Sequence, residues 1–209
     1  MEKNYVGARL VLRSNLASHS GRRPSWAAVR EQVLHCEFYR KVCAPTSLER
    51  LKGVTVKYVS HIGDNGTLPP SPFLCVLVRY ADCKPSPQQA ARHIEQEENV
   101  YWRALVATWL RWTQIKAEQI YRLLDPLLGD YRPITIREGD GSLRISHLDI
   151  YIDQLLRYRS TFRALEGPFP VPVIPFPYLI SRYELEARGA LLRRHYAVAE
   201  TASGTHKEA

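Results

Sequence analysis

The run NVYWRALVATWLRWTQ, residues 99–114, constrains the fold of this chain more than any other stretch. Tyr101, Leu105, Trp109 and Trp112 recur at helical spacing on one side, while Ala104, Ala107 and Thr108 fill another. A helix that is apolar on nearly every face leaves no side for water, so other elements must surround it. The spacing therefore predicts a central core helix. Arg103 and Arg111 interrupt the run. A guanidinium carried into a core needs a carboxylate or several carbonyls as partners. Arginine beside tryptophan also fits a stacking platform for single-stranded RNA, provided that the rings face outward; three tryptophans at helical spacing favour the core.

The elements around that helix are also expected to be helices, several with marked starts. Pro24-Ser25 precedes WAAVREQVLHCEFYRKV, in which Trp26, Val29, Val33, Leu34 and Phe38 follow one helical face. Thr46-Ser-Leu-Glu49 reads as a capping box opening a short second helix. Ser71-Pro72 and Ser86-Pro87 each set a capping hydroxyl before a proline at the first helical position, where the missing N–H costs nothing. Residues 115–124 continue as an amphipathic helix up to Asp125-Pro126, where Asp125 is expected to cap a further short helix, PLLGDY. ITIREGDGSLRIS alternates around Glu-Gly-Asp-Gly as a small hairpin does, and Ser146-His-Leu-Asp149 reads as a second capping box, opening HLDIYIDQLLRYR. EGPFPVPVIPFP, residues 166–177, holds five prolines and must run extended, either strapping the last helix onto the core or serving as a ligand for an aromatic groove. The strap is favoured. The closing helix, around Leu179, Tyr183, Leu185, Leu191 and Leu192 with Gly189 inside it, could extend outward.

The expected fold class is mainly α: a single compact multi-helix domain with one small β-hairpin and a proline-rich extended segment before a C-terminal helix. Residues 1–24 form a basic arm, 25–200 the helical domain and 201–209 a tail. Residues 1–60 carry 11 Lys/Arg against 4 Asp/Glu, a balance of +7, whereas the rest carries 18 against 17. Such an excess attracts phosphates or acidic proteins, and Arg22, Arg23, Arg30, Arg40 and Lys41 are the candidate RNA contacts. SNLASHSGRRPS equally suits a solvated arm. No apolar run reaches membrane-spanning length and no signal-peptide layout opens the chain, so a soluble intracellular protein is expected. Cys36, Cys43, Cys75 and Cys83 lack the paired CxxC spacing of a zinc site, even with His35 and His93 as extra ligands, and are expected as reduced thiols. No cofactor or metal is implied.

YRLLDPLLGDYRPI, residues 121–134, gathers carboxylates, a phenol and a guanidinium at a corner between elements. Asp130 could orient Arg132 and leave Tyr131 projecting as a partner anchor, or all three could pin the corner internally. Arg122 and Tyr151, on the helices before and after the corner, complete the candidate partner-binding set. As catalysis, Asp149 and Asp153 at i, i+4 beside His147 could act as an acid/base pair or hold a divalent ion. The plainer expectation is that Asp149 belongs to the capping box and Asp153 pairs with Arg157. No phosphate loop or nucleophile elbow occurs, so an enzyme is not expected.

PSPFLCVLVRY, NVYWRALVATWLRWTQ, IYRLLDPLLGDYRPI and GSLRISHLDIYIDQLL, in this order, resemble the pre-mRNA-splicing factor 38 family. The likeness runs from about Ala17 to Glu186, is weaker before Trp26 and between Gly53 and Pro70, and extends to FPYLISRYELE. The resemblance implies a nuclear, non-enzymatic scaffold that joins the pre-catalytic spliceosome after the tri-snRNP and is required for activation. Its implied partners are a zinc-finger splicing protein and a long helical factor related to microfibril-associated protein. Contact with small nuclear RNA is the alternative. Outside the complex a monomer is expected. Many animal members carry an Arg/Ser-rich tail; this sequence ends in AETASGTHKEA.

Overall fold

The computed structural model describes residues 26–63, 69–96, 98–113, 115–138, 141–157 and 176–193. The arm 1–24, the tail 201–209, most of the proline-rich segment and residues 194–200 lie outside them. Eight α-helices and one hairpin are described: α1 (Trp26–His35), α2 (Leu48–Tyr58), α3 (Pro72–Asp82), α4 (Pro87–Glu95), α5 (Val100–Trp112), α6 (Ala117–Leu124), β1 (Pro133–Arg137), β2 (Leu143–His147), α7 (Leu148–Arg157) and α8 (Arg182–Ala187). A π-helical turn, Tyr39–Cys43, follows α1, and a 3₁₀ turn, Asp125–Gly129, follows α6.

The all-round apolar helix is central, as its sequence requires. From Ala104 to Arg111 every residue of α5 is buried, and α2, α3, α4 and α7 pack around it. Trp102 and Trp109 meet the ring of Tyr80 edge-on at 5.4 Å, and Trp112 meets Trp26 at 4.7 Å. Edge-to-face contacts of this kind add to the area buried. Trp102 and Trp109 belong to the core and Trp26 and Trp112 are half-buried against it, an arrangement that favours the core reading of α5 over a stacking platform.

Both α5 arginines have the partners that burial demands. Arg103 reaches a carboxylate at the corner described below. Arg111, 1% exposed, donates to the Leu155 carbonyl at 3.0 Å and the Pro177 carbonyl at 2.6 Å, with its guanidinium carbon 5.4 Å from the Phe176 ring centroid. Burial pulls its pKa down to about 10. The described end of the proline-rich segment, Phe176 and Pro177, is thus tied to the core, and Leu179 just beyond it is buried as well.

Helix starts are partly as the sequence indicates. Ser71 accepts from Leu74 N–H, and Ser86 forms a full capping box with Gln89. Thr46 does not cap α2: its hydroxyl donates back to the Val42 carbonyl at 2.6 Å, leaving Ser47 as the cap residue, and α2 runs 11 residues. The first helix is broken at Cys36, so its C-terminal part forms the π-helical turn instead, closed by Ala44 N–H on Tyr39 O at 2.7 Å. The last helix is also shorter than expected. Gly189, at φ +71°, ends α8 with Ala190 N–H bonded to Leu185 O, a conformation that favours glycine.

In the hairpin, Ile134 faces Ser146 and Ile136 faces Arg144, and Gly141 turns the chain at φ +89°. Ile62 lies along the other side of β1, its N–H on Thr135 O and its carbonyl taken by Arg137 N–H. Ser146 is therefore a buried strand residue rather than the cap of α7.

Candidate functional site

The corner at residues 129–133 lies where α6 hands over to the hairpin and where α7 begins. Its backbone caps α7: the Arg132 carbonyl accepts from Leu148 N–H and the Asp130 carbonyl from Asp149 N–H, both at 3.1 Å. Those carbonyls do what Ser146 was expected to do. Free N–H groups at a helix start must find acceptors, and here the loop supplies them from 16 and 19 residues upstream.

The side chains build on that backbone. Arg132 Nε and Nη2 bind Asp130 Oδ1 and Oδ2 at 2.8 and 2.6 Å, a two-point guanidinium–carboxylate pair. Arg103 Nη1, from α5, adds a third donor to Asp130 Oδ2 at 3.0 Å, and Arg132 Nη1 reaches the Glu98 carbonyl. The Arg132 hydrogen bonds, above all, hold the Asp130 carboxyl below its ordinary range against a burial that pushes it up; the same pairing raises Arg132. The side chains of Asp130 and Arg103 are 10% and 20% exposed, so this is a tie inside the corner.

Tyr131 takes the opposite direction. It is 70% exposed and, with Pro126, Gly129, Pro133, Glu98 and the two arginines, rims an open groove. The two sequence readings of the corner thus divide: Asp130 and Arg132 pin it, and Tyr131 projects. A rigid base beneath an exposed aromatic lowers the entropy lost when the ring docks.

The other candidates fall in different places. Arg122 is exposed and donates to Ala190 O at 3.4 Å, beside a second groove lined by Asp125, Pro126, Leu128, Arg182 and Leu192. Asp125 closes α6 rather than capping the start of the short turn that follows; Arg182 Nε binds its Oδ2 at 2.9 Å and anchors α8 there. Tyr151 is fully buried and shares a 2.6 Å hydrogen bond with Thr108, which removes it from any partner-binding surface. Its position on the core face of α7 is visible only once α5 is placed against it.

Of the basic candidates, Arg22 and Arg23 lie outside the described residues. Arg30 pairs with Asp82 at 3.0 Å, Lys41 pairs with Glu37 one turn away, and Arg40 is exposed. Asp153 pairs with Arg157 at 2.8 Å, as expected from their spacing. Asp149 is not in a capping box. No group of three or more His, Cys, Asp or Glu side chains able to hold a metal occurs among the described residues, and no described helix is long and apolar enough to cross a membrane.

Comparison with known proteins agrees with this architecture. Pre-mRNA-splicing factor 38A of Xenopus laevis is 30% identical over 130 residues, 61% of this chain and 41% of the relative. The Homo sapiens protein of that name is 28% identical over 174 residues, 82% of this chain and 52% of its own length. Pre-mRNA-splicing factor 38 of Arabidopsis thaliana is 28% identical over 165 residues, 78% of this chain and 43% of its length. The chain thus spans about half, or less, of these relatives. Among solved structures, a chain of the Snu23–Prp38–MFAP1(217–258) complex of Chaetomium thermophilum matches with a TM-score of 0.71 and 25% identity, covering 85% of this chain and 89% of that one. The PRP38 family model matches residues 26–172, which takes in α1 through α7 with the hairpin, and the chain belongs to the PRP38 family.

Proposed function

We propose that this protein is a non-enzymatic interaction scaffold of the spliceosome, working in the nucleus on the pre-catalytic assembly and needed for its activation. The observation that carries the reading is the match, over most of both chains, to a chain of a three-protein complex containing Prp38, Snu23 and MFAP1. Membership of a family of splicing factors supports it. The partners are spliceosomal proteins, among them a zinc-finger splicing protein and an MFAP1-like helical factor.

On this chain the surface that fits the role is the corner rim. Tyr131 offers an exposed aromatic anchor on a backbone held by Asp130, Arg132 and Arg103. Interfaces draw most of their energy from a few such aromatic and arginine residues. The test compares immobilised wild-type protein with Tyr131→Ala in nuclear extract. The expected result is a loss of about tenfold or more in retained spliceosomal proteins, an effect on the order of 1.4 kcal/mol or larger. Unchanged retention by Tyr131→Ala would move the interface away from this corner.

A further inference from the structure

The hairpin has one covered edge and one open edge. Along β1, Thr135 O and Arg137 N–H are taken by Ile62, so the backbone of Thr135 and Arg137 faces that side and the backbone of Ile134 and Ile136 faces β2. The same alternation runs through β2. Arg144 and Ser146 pair with β1, while Leu143 and Ile145 turn their N–H and carbonyl groups outward, where no described residue meets them. Their side chains are open as well: Leu143 is 59% exposed and Ile145 74%. An edge strand with free backbone groups and apolar side chains is a template for a further strand, and folded proteins keep such edges covered.

Residues 5–13, YVGARLVLR, carry the pattern of such a strand. Val6, Ala8, Leu10 and Leu12 alternate with Gly7, Arg9, Val11 and Arg13, and Asn4 and Ser14-Asn15 bound the run. The run precedes residues 26–172, which the PRP38 family model matches, so family membership assigns it no role. It also has the reach. Trp26, where the described chain begins, packs against Trp112 at the C-terminal end of α5, whereas the hairpin meets the N-terminal end of α5 through Thr135 N–H on the Tyr101 hydroxyl at 3.1 Å. The 13 residues of α5 span about 20 Å. The linking residues 14–25 reach about 40 Å when extended.

We propose that residues 5–13 are a third strand of this sheet, paired along the open edge of β2. Val6, Ala8, Leu10 and Leu12 lie on the face of Leu143 and Ile145, where cross-strand neighbours cover both side chains. Arg9 and Arg13 lie on the opposite face. The rim there is open to water, since Arg144 is 45% exposed and paired with Glu138. The pairing is strand addition, in which backbone hydrogen bonds hold the strand and the alternating side chains set its register. A strand from another protein that uses this edge has to displace the arm first.

The test follows amide hydrogen exchange residue by residue in the full chain, wild type against Leu10→Pro. Proline removes a backbone donor and breaks the added strand, and position 10 lies outside the described helical domain. Slow α5 amides in both proteins confirm that the domain is intact. In the wild type the Leu143 and Ile145 amides should exchange at least about tenfold more slowly than in Leu10→Pro. Arg144 and Ser146, bonded to β1, should be equally slow in both. Unprotected exchange at Ile145 in the wild type would overturn the proposal. So would protection that survives Leu10→Pro, whether it vanishes on dilution, as a second copy on the edge requires, or persists.

Discussion

Asp130 and Arg132 are bound two-to-two, Nε to Oδ1 at 2.8 Å and Nη2 to Oδ2 at 2.6 Å, only two residues apart in sequence. The pair closes the loop on itself and turns its two carbonyls toward the first N–H groups of α7. Between them sits the exposed ring of Tyr131. One short segment thereby does two jobs, fastening α7 to α5 and presenting an aromatic to solvent.

Those jobs should separate under mutation. Asp130→Asn removes the charge that serves both Arg103 and Arg132 and should cost about 2 kcal/mol of stability. Tyr131→Ala should change stability by less than about 0.5 kcal/mol. Chemical denaturation of the two variants, read at matched slopes, checks both. A Tyr131→Ala/Arg132→Ala double variant should be destabilised through Arg132, so only the single tyrosine change isolates partner binding.

The same carboxylate sets part of the acid sensitivity. Its folded pKa lies below the ordinary 3.8, so its stabilising contribution is fully present above that value and is lost as pH falls from there through the folded pKa. Wild-type stability should therefore drop more steeply below about pH 4 than that of Asp130→Asn. Parallel acid limbs for the two proteins would show that Asp130 makes no such contribution.

Arg111 is the tie between α5, α7 and the strap. Arg111→Lys loses the planar fork that serves two carbonyls and the Phe176 ring, and should cost about 2–4 kcal/mol. Limited proteolysis should then cut sooner near Pro177 than in the wild type, because the strap has lost its anchor. Cleavage at the wild-type rate would mean that packing of Phe176 and Leu179 alone holds it.

Tyr151→Phe tests the reassignment of that residue from surface to core. Losing the phenol leaves the Thr108 hydroxyl still bonded to Ala104 O at 2.6 Å, so the cost should be about 1 kcal/mol, with partner retention unchanged. Lost retention without lost stability would return Tyr151 to the interface.

What could be read from the sequence is what local chemistry encodes. Ser71-Pro72 and Ser86-Pro87 start α3 and α4 because a hydroxyl and a proline satisfy a helix start without outside help. α5 is central because its residues leave no polar face. Thr46 and Ser146 were misleading because the same pattern of residues can lose to tertiary partners, the Val42 carbonyl in one case and a strand pairing in the other. The break at Cys36 left no trace in the periodicity, since Phe38 still falls on the buried side of a continued helix. At the corner, the Asp130–Arg132 pairing was legible from adjacency, but Arg103 and the Glu98 carbonyl lie 27 and 34 residues from their partners. Nothing local announces contacts at such separations.

The central claim is that proteins, not RNA, hold this chain in the spliceosome. Affinity purification from nuclear extract at low and high salt, with and without nuclease, tests it most directly. The account predicts that spliceosomal proteins of the tri-snRNP and activation stage stay bound after nuclease and tolerate the salt. Recovery of small nuclear RNA alone, lost on nuclease treatment and falling steeply with salt, would contradict it and favour direct RNA binding through the basic N-terminal residues.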